Sequence, residues 1–285
     1  MCILSGSSKK SPVSSNRSAY SSSSGSLALY HRHFTLSQME EKMDYRTIQF
    51  YEDGCWIRSI ESEEEYLQAY RLRYEIFCET LGWVPANPTG LEIDRYDSFA
   101  TLLGLFSEEN TLLGMIRLLP PNQPFMLETD FSDLVAPGYQ IRKEIDTAEI
   151  SRLAITPSAK EQGLSSRYLN ILLKGLYQWT LVNNVRYSYL EVEKRFWRIL
   201  QFLGFISTPI GPVKCLPPAG ANSMAAILDW EAFRSHNRNR QPEFLDWMTT
   251  VQSAPAVAPG QWRVHGSKPE VLKEYFGHEN SLSVR

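Results

Sequence analysis

Five charged residues in the middle of the chain have types and spacings suited to acid–base chemistry. Asp94 and Asp97 lie three residues apart, while Arg117, Glu149 and Arg152 interrupt apolar runs typical of β-strands. A charge inside a central strand is costly unless a partner neutralises it, so we expect these side chains to pair with one another. Two interpretations remain open: a purely structural ion-pair network, or a catalytic site in which a carboxylate takes up a proton.

Carboxylates are the available bases in this part of the chain. The histidines stand outside residues 34–235, at His31, His33, His236, His265 and His278. A Ser-His or Cys-His couple and a histidine-ligated metal are therefore not expected within that span. The cysteines form no C-x-x-C pair, and no apolar signal segment is apparent, which predicts reduced thiols and a cytoplasmic location.

A second feature is a glycine-containing turn before a long helix. Residues 160–165 follow a predicted strand and lead into a helix predicted over residues 165–182. The first turn of a helix presents free N–H groups and the positive end of the helix dipole, which favours a phosphate. Lys160, Gly163 and Ser165 therefore form a candidate phosphate site, although many helices begin after a glycine.

The elements that would position these residues alternate between strand and helix. Periodicity predicts the order β, α, β, β, β, α, β, α, β, which favours a mixed sheet covered by helices. A hairpin is expected at Asp53-Gly54, and a helix begins at Ser62 with a capping-box pattern and ends at Gly82. The remaining predicted elements are strands over 98–106, 111–119, 148–156, 186–192 and 221–230, and helices over 165–182 and 196–202.

Composition divides the chain into three parts. Residues 1–43 are rich in serine and poor in acidic residues, and are expected to be a disordered tail. Residues 44–235 hold the predicted elements and form the expected domain. Residues 236–285 are polar and are expected to be a partly helical C-terminal extension, with possible helices over 242–251 and 268–276.

Charge and hydropathy argue against two classes of function. The chain of 285 residues has a formal net charge of −3, so it offers no global basic field for sequence-independent nucleic-acid binding. No apolar run reaches the roughly 18 residues that a membrane span needs. We therefore expect no nucleic-acid partner and no membrane span.

Five segments carry motifs that occur together, in this order, in one enzyme family. Residues 72–83 are similar to L-R-x-x-V-F-x-x-R-x-G-W, 92–97 to E-x-D-x-Y-D, 116–119 to R-L-L, 125–131 to P-Y-M-L with a following F, and 149–155 to E-L-S-R-F-A. Together they resemble the LuxI-type acyl-homoserine-lactone (autoinducer) synthases, which belong to the GCN5-related N-acyltransferase (GNAT) fold. The resemblance extends over about residues 66–232.

This resemblance implies both a fold and a reaction. The fold would be α/β, GNAT-like, with a mixed, mostly antiparallel central sheet that has a V-shaped splay and is flanked by helices in three α/β/α layers. The enzyme would move a fatty acyl group from acyl carrier protein to the amine of S-adenosylmethionine. It would then close a homoserine lactone, a quorum-sensing signal, and release methylthioadenosine. Both reactants would be substrates, and no cofactor and no metal are implied.

The resemblance also implies roles for residues at matching positions. Glu149 would act as the base, and Arg152 would be the second catalytic residue. Lys160, Gly163 and Ser165 would receive the phosphate of phosphopantetheine. The residues implied to bind the amine substrate are Arg73, Phe77, Trp83, Asp94, Asp97, Arg117 and Phe131. Ordinary helix packing is the alternative interpretation of the first three of these.

Some residues depart from the family pattern. Thr80 stands where the family has an arginine, and Leu153 where it has an aromatic residue. Cys78 and the segment 208–212 also resemble acyltransferases associated with exosortase systems, and N-acyl amino acid synthases are further relatives. The alternatives are therefore an acyltransferase that uses a different amine, such as an amino acid, and a non-catalytic acyl-binding module.

The proposed roles of Glu149 and Arg152 require an irregular strand. Side chains alternate along a regular strand, so residues 149 and 152 would point to opposite faces of the sheet. For both to line one cleft, a β-bulge must lie within residues 149–155, and the GNAT fold has such a bulge.

Two further surfaces are expected near the cleft. An acyl-chain pocket is expected between the helix that begins at Ser165 and the strand that contains Tyr189, and the residues near it would be Leu169, Leu172, Leu173, Tyr189 and Phe202. A basic rim for an acidic carrier protein, or else a solvated helix face, is expected from Arg167, Lys174, Arg195 and Arg198.

Overall fold

A computed structural model describes residues 45–251 and residue 272 of the chain. The tail predicted over residues 1–43 lies outside the described residues, as does the helix predicted over residues 268–276 apart from Leu272, which is helical and buried. Within the described part, one mixed and mostly antiparallel sheet is flanked by helices, which confirms the predicted α/β class.

Nine strands form the sheet in the described part of the chain. In chain order they are β1 (Gln49–Glu52), β2 (Cys55–Ser59), β3 (Thr101–Phe106), β4 (Leu112–Leu119), β5 (Thr147–Ile155), β6 (Tyr187–Glu193), β7 (Ser207–Pro209), β8 (Lys214–Leu216) and β9 (Ala221–Asp229). Their spatial order is β1-β2-β3-β4-β5-β6-β9-β7, and β8 also pairs with β9. β5 and β6 run parallel, and the other neighbouring strands pair antiparallel.

Helices of three types connect these strands. The α-helices are α1 (Glu63–Arg73), α2 (Pro157–Glu161), α3 (Ser165–Val182), α4 (Lys194–Phe202), α5 (Trp230–Arg240) and α6 (Pro242–Thr249). A π-helix (Tyr74–Thr80) continues α1, and short 3-10 helices cover Arg95–Ser98, Met126–Glu128 and Ser132–Leu134. The α3 bounds agree with the predicted helix over residues 165–182.

Helices α3 and α1 cover opposite faces of the sheet. Gly114 of β4 lies against Leu172 of α3, whereas the next residue, Met115, is in an apolar cluster with Tyr70 of α1. Successive strand residues face opposite sides, so the two helices form separate layers around the sheet. Gly175 lets α3 approach closely, since a Cβ there would lie 2.4 Å from a methyl group of Ile57. The predicted three-layer α/β/α arrangement is therefore confirmed.

Helix α1 begins as predicted and then changes its winding. Ser62 accepts a hydrogen bond from the Glu65 N–H group, and the Glu65 carboxylate accepts one from the Ser62 N–H group, which completes the capping box. The periodicity predicts one helix up to Gly82, but the turn after Arg73 is π-helical. A π-helix places more residues in each turn, so the side chains beyond Arg73 shift around the axis relative to a regular helix.

The predicted β-bulge is present in β5. Met115 pairs with Ala154 and Arg117 pairs with Ser151, so one residue of β4, Ile116, opposes two of β5, Arg152 and Leu153. Arg152 lies in this bulge, and its φ is +50°. A non-glycine residue at positive φ is uncommon, and here it turns the Arg152 side chain toward the face that already carries Ser151.

The parallel pair β5–β6 separates after four residue pairs. Thr147 pairs with Tyr187, and the ladder ends where Ile150 pairs with Leu190. Beyond that point β5 remains paired with β4, and β6 remains paired with β9. The two strands therefore diverge toward their carboxyl ends, which confirms the predicted V-shaped splay.

Several predicted bounds differ from the structure. The strand predicted over residues 98–106 begins at Thr101, because Arg95–Ser98 form a 3-10 helix. The domain boundary predicted at residue 235 falls inside α5, whose start is capped by the Asp229 carboxylate through the Glu231 and Ala232 N–H groups. The short elements α2, β7 and β8 are not predicted, since three to five residues carry too little periodicity.

A buried ion pair fastens α6 to the remainder of the domain. Lys174 of α3 donates to Glu52 of β1 at 2.6 Å, and the indole N–H group of Trp247 donates to the other Glu52 oxygen at 2.9 Å. Gln178 also donates to the Met248 carbonyl at 2.6 Å. The helix predicted over residues 242–251 is thus present and packed against α3.

Candidate active site

Three arginines meet three carboxylates on the α1 face of the sheet. Arg73, at the end of α1, is fully buried and donates through Nη1 and Nη2 to the two Asp97 oxygens at 2.6 and 3.1 Å. Its Nε donates to Glu92. All three nitrogen atoms of the buried Arg73 guanidinium therefore donate to protein carboxylates.

Arg117 of β4 joins this network to strand β5. Its Nη1 donates to Asp94 Oδ1 at 2.6 Å and to Asp97 Oδ1 at 3.1 Å. Its Nε donates to the Ser151 hydroxyl at 3.0 Å. Arg117 is fully buried, so these acceptors replace the water that its charge would otherwise bind.

Arg152 closes the network from the bulge. Its Nη2 donates to Glu92 Oε1 at 2.8 Å and to Asp94 Oδ2 at 3.0 Å, and its guanidinium lies 5.4 Å from the ring centroid of Phe77. Ser151 and Arg152 are consecutive, yet both reach the same network, which a regular strand would not allow. With three cations and three anions, the cluster is electrically neutral.

A tight turn explains why the two aspartates point in the same direction. The Asp94 carboxylate accepts from the Tyr96 N–H group at 2.9 Å, and Asp97 Oδ2 accepts from the Asp94 N–H group at 2.7 Å. These mutual caps form the 3-10 helix over Arg95–Ser98. The three-residue spacing of the acidic motif is thus the spacing of one helical turn.

The network lowers the pKa of its carboxylates. Burial by itself would raise the pKa of Glu92, but the guanidinium groups of Arg152 and Arg73 outweigh burial and lower it to about 2. Burial would likewise raise the pKa of Asp94, yet its ion pairs, first among them that with Arg117, lower it. Both groups are therefore ionised at neutral pH and too weakly basic to take a proton from an amine.

Glu149 has different surroundings. It is 1% exposed, and its oxygens accept from the backbone N–H groups of Met126 at 2.6 Å and Leu127 at 3.0 Å. Burial raises the pKa of Glu149 from 4.5 to about 8, while these N–H groups and Arg117 limit the rise. The expectation of an ion pair is wrong for Glu149, because the described residues place no guanidinium within salt-bridge distance of it.

The aromatic residues expected around the amine substrate lie beside Arg152. The Phe77 and Trp83 ring centroids are 6.3 Å apart, and the backbone N–H group of Trp83 donates to the Phe77 carbonyl at 2.8 Å. Phe77 is buried, and Trp83 is half-buried at the edge of the cluster. Phe131 lies in the loop that contacts Glu149, where its backbone N–H group donates to the Met126 carbonyl at 2.9 Å.

The candidate phosphate turn stands beyond the carboxyl end of β5. Gly163 has a φ of +71°, which suits glycine, and α3 begins two residues later at the buried Ser165. No side chain among the described residues caps the start of α3. Lys160 belongs to α2, with its carbonyl accepting from the Gly163 N–H group and its side chain exposed. The turn is thus formed as predicted, without a visible role for the Lys160 ammonium group.

The expected acyl-chain pocket is not formed as predicted. Tyr189 packs against Phe125 and Tyr139, with ring centroids 6.1 and 6.5 Å away, on the face that carries Glu149. Leu172 lies on the α3 face instead, and Phe202 is 86% exposed. The prediction overlooked the alternation of side chains along β6, which places Tyr189 on the side opposite α3.

Several residues of the site carry weaker sequence signals. Glu92 balances the third arginine, and its place at the start of the acidic motif could have indicated this role. Ser151 lies between the two predicted catalytic residues. The Met126 and Leu127 N–H groups could not have been predicted, because backbone donors in a loop have no signature in residue type.

The described residues contain neither a metal-binding cluster of side chains nor a membrane-spanning helix. No three of the described histidine, cysteine, aspartate and glutamate side chains group in a way that would hold a metal ion. Among the helices in the described part of the chain, none has the length and apolar character needed to cross a membrane.

Comparison with known proteins identifies the family. The model of the autoinducer synthase family matches residues 58–231, more than half of the 285-residue chain. An acyl-homoserine-lactone synthase of Rhizobium radiobacter is 31% identical over 170 residues, which cover 57% of this chain and 77% of that protein. One from Agrobacterium fabrum is 29% identical over 162 residues, covering 55% and 74%.

Solved structures support the same fold. The chain is similar to BjaI, described as a CoA-dependent acyl-homoserine lactone synthase with MTA, at a TM-score of 0.56 and 22% identity, covering 70% of this chain and 93% of that one. It is also similar to the synthase LasI, at a TM-score of 0.55 and 20% identity, covering 65% and 91%. The fold and the family match agree: the chain belongs to the autoinducer synthase family and is an enzyme of the acyltransferase type.

Proposed function

We propose that this enzyme moves a fatty acyl group from acyl carrier protein to the amine of S-adenosylmethionine and makes an N-acyl-homoserine lactone. The observation that carries this proposal is Glu149, a buried carboxyl group with a pKa raised to about 8, in the sheet where β5 and β6 begin to separate. The relatives named acyl-homoserine-lactone synthases support the product class. We also propose a cytoplasmic location, where the cysteine thiols would stay reduced.

In the first proposed step, the amine nitrogen attacks the thioester carbonyl carbon. The ammonium form of the amine first gives one proton to Glu149, directly or through water. The neutral amine then attacks, the C–N bond forms and the C–S bond breaks, and the second proton of the nitrogen goes to the leaving thiolate, which departs as the thiol. An α-amino group titrates near about 8, so proton transfer to a carboxylate of similar pKa is nearly balanced. Transfer to a carboxylate of ordinary pKa would be strongly uphill, which favours Glu149 over Glu92 or Asp94.

The neutral cluster would orient the amine substrate. Asp94 is the least buried of its three carboxylates, with 21% of its side chain exposed, and it offers a negative group toward a cationic substrate. The aromatic pair Phe77 and Trp83 provides an apolar wall beside it. Positioning both reactants in this way would supply much of the rate. In the second step a carboxylate oxygen of the substrate would attack the carbon bonded to the sulfonium, which closes the lactone and releases methylthioadenosine.

The splay would admit the thioester, and the turn at Gly163 and Ser165 would meet the phosphate of its phosphopantetheine arm. This turn follows β5 at the end where the strands diverge, so the arm would enter there and its sulfur would reach toward the bulge. No further cofactor is needed for either proposed step.

The identity of the donor depends on the outer surface. Of the cations considered for a basic rim, Lys174 is buried against Glu52, and Arg167 pairs with Asp53. Arg195 and Arg198 remain exposed on α4 beside the exposed Phe202, a surface suited to an acidic carrier protein. BjaI, in contrast, has been crystallised with SAM and isopentyl-CoA, so coenzyme A is the competing donor.

One assay tests the reaction. Purified enzyme is supplied with an acyl carrier protein thioester or acyl-CoA, and with either S-adenosylmethionine or a mixture of amino acids. We expect methylthioadenosine and an acyl-homoserine lactone with S-adenosylmethionine, and no acylated amino acid. Acylation of amino acids without methylthioadenosine would contradict the proposed amine substrate.

The donor is tested with charge reversals. Arg195→Glu combined with Arg198→Glu should raise KM for the carrier protein thioester and leave KM for acyl-CoA unchanged. The matched control is Arg238→Glu with Arg240→Glu, which reverses two exposed arginines of α5. Equal effects of both double variants, or faster turnover of acyl-CoA in the native enzyme, would contradict the carrier protein as donor.

A further inference from the structure

Lys143 lies outside the predicted site, yet its side chain is held in place by three contacts. Its ammonium donates to the Gln123 carbonyl at 2.7 Å and to Glu128 Oε2 at 2.6 Å, and it lies 3.5 Å from the ring centroid of Phe125. The side chain is 30% exposed. These three contacts fix the position of the ammonium group even though the side chain is partly exposed.

These contacts span the loop that holds Glu149. Gln123 precedes, and Glu128 ends, the short turn whose N–H groups at Met126 and Leu127 donate to the Glu149 carboxylate. Glu128 Oε2 also accepts from the Phe125 N–H group at 2.8 Å. Lys143 therefore links both ends of the loop, and Glu128 ties the loop to itself.

The loop has a second attachment on its far side. The Tyr96 hydroxyl donates to Asp130 Oδ2 at 2.8 Å and lies 2.5 Å from the Thr129 hydroxyl. This contact connects the loop to the turn that carries Asp94 and Asp97. Met126 and Leu127, whose N–H groups face Glu149, therefore lie between Gln123 on one side and Thr129 and Asp130 on the other.

The groups that face Glu149 come from three directions. Arg117 approaches from β4, with its charge shared among Asp94 and Asp97. Tyr189 pairs with residue 149 from β6, and its hydroxyl accepts from the Arg142 N–H group. Lys143 and Glu128 stand on the loop side. Burial raises the pKa of Glu149, and the two backbone N–H groups, Arg117 and Lys143 lower it in that order.

We propose that Lys143 is a positioning residue for Glu149, which it serves by fastening Gln123 and Glu128 so that the Met126 and Leu127 N–H groups stay directed at the carboxylate. This inference rests on the proposed role of Glu149 as the base. It assigns to Lys143 no contact with substrate. Without the ammonium group, the loop loosens, and the carboxylate loses both donors and a nearby positive charge.

The test is the pH dependence of kcat/KM for Lys143→Met. Because the Glu149 carboxylate is less stabilised, the acidic limb of the profile moves to higher pH. We expect a shift of about one pH unit, which corresponds to about tenfold lower activity at a given pH on that limb. Activity should approach the native value at high pH. Lys143→Arg keeps the charge and should return the limb most of the way. An unchanged limb in Lys143→Met overturns the proposal.

Two further variants separate positioning from a general loss of structure. Glu128→Gln removes the ion pair with Lys143 but keeps an amide oxygen for the Phe125 N–H group, and should shift the limb in the same direction by a smaller amount. Lys214→Met removes a lysine whose ion pair, at 3.7 Å, is with Asp133, outside residues 123–130, and should leave the profile unchanged. If Lys143→Met lowers the melting temperature, Glu128→Gln alone decides, and a native limb there overturns the proposal.

The outcome is distinguishable from failure of the proposed function. If Glu149→Gln retains activity, Glu149 is not the base, and the proposed mechanism fails together with the role of Lys143. If Glu149→Gln is inactive and Lys143→Met keeps the native limb, the mechanism stands and the positioning role alone is overturned.

Discussion

At the scale of single residues, two buried glutamates of the site show how hydrogen-bond and ion-pair partners determine the pKa of a carboxyl group. Glu92 and Glu149 are both almost fully buried, yet the pKa of Glu92 is lowered to about 2 and that of Glu149 is raised to about 8. Glu92 receives guanidinium groups, whereas Glu149 receives backbone N–H groups that offset only part of the cost of burial. Carboxylates whose surroundings separate their pKa values in this way are suited to different tasks.

Replacement of Glu149 tests the task of the proton acceptor. Glu149→Gln keeps the shape and one of the two acceptors for the Met126 and Leu127 N–H groups, but it cannot take a proton. We expect kcat to fall by about 10²–10⁴-fold in the methylthioadenosine assay, the usual effect of losing a general base. Glu144→Gln, an exposed neighbour, is the control. Native turnover in Glu149→Gln would exclude this residue as the base.

The raised pKa of Glu149 also predicts how stability depends on pH. Its pKa is about 8 in the folded chain and near 4.5 in the unfolded chain, so between these values the folded state binds the extra proton. The stability from this proton is complete below about pH 4.5 and is lost as the pH rises through about 8. The melting temperature of Glu149→Gln should therefore rise relative to the native enzyme between about pH 5 and pH 8.5. A difference that stays constant with pH would contradict the assigned pKa.

How far the sequence predicts the site depends on the kind of atom involved. Asp94, Asp97, Arg117 and Arg152 are predicted to pair, and they do, because charged side chains in apolar strands need partners. The partners of Glu149 are not predicted, since its donors are backbone atoms in a loop. The roles of these residues in catalysis remain predictions until the variants are assayed.

At the scale of the elements, the irregular ones form the site. The bulge of β5 turns Arg152 toward the cluster, and the π-helix follows directly after Arg73. The bulge is predictable, because Glu149 and Arg152 can share a face only if the strand gains one residue. The π-helix is not, since its sequence has the same helical spacing of apolar residues as α1. Ile76 and Phe77 of the π-helix pack in the apolar cluster with Tyr70, and this packing is not visible in the spacing of the sequence.

A pair of substitutions tests the backbone geometry of the bulge. Arg152→Ala and Arg152→Gly both remove the guanidinium from Glu92 and Asp94, but only glycine adopts a φ of +50° without strain. Arg152→Gly should therefore be more stable than Arg152→Ala by about 1 kcal/mol, the reverse of their order in a regular strand. Urea unfolding of both variants gives the difference. A more stable alanine variant would show that the positive φ is absent in solution.

At the scale of the whole molecule, the described domain has two attachments that its sequence pattern does not predict. The halves of the sheet share four residue pairs between β5 and β6. At β1, Glu52 pairs with Lys174 of α3 and accepts from the Trp247 indole of α6. Periodicity predicts the order of the main strands and the bounds of α3. It cannot predict which residue of α3 reaches β1, because that contact depends on how the layers pack.

The buried pair of Lys174 and Glu52 allows a test of the second attachment. Lys174→Met leaves the Glu52 charge buried with the Trp247 indole as its remaining donor, and should cost about 3–5 kcal/mol in urea unfolding. Adding Glu52→Gln should recover much of this loss, because no uncompensated charge remains. The exposed pair of Arg186 and Glu231 is the control, where removal of Arg186 should cost less than about 1 kcal/mol. Additive losses in the double variant would contradict a buried ion pair.

The separation of β5 from β6 has a consequence for how the protein behaves at high concentration. Within the described residues, β5 beyond Ile150 pairs with β4 as its strand neighbour, and β6 pairs with β9. A strand margin that no second strand covers is a template on which an extended polypeptide can add, including a second molecule of the same protein. The proposed donor arm would cover these margins, so donor binding and self-association would compete for the same few peptide groups.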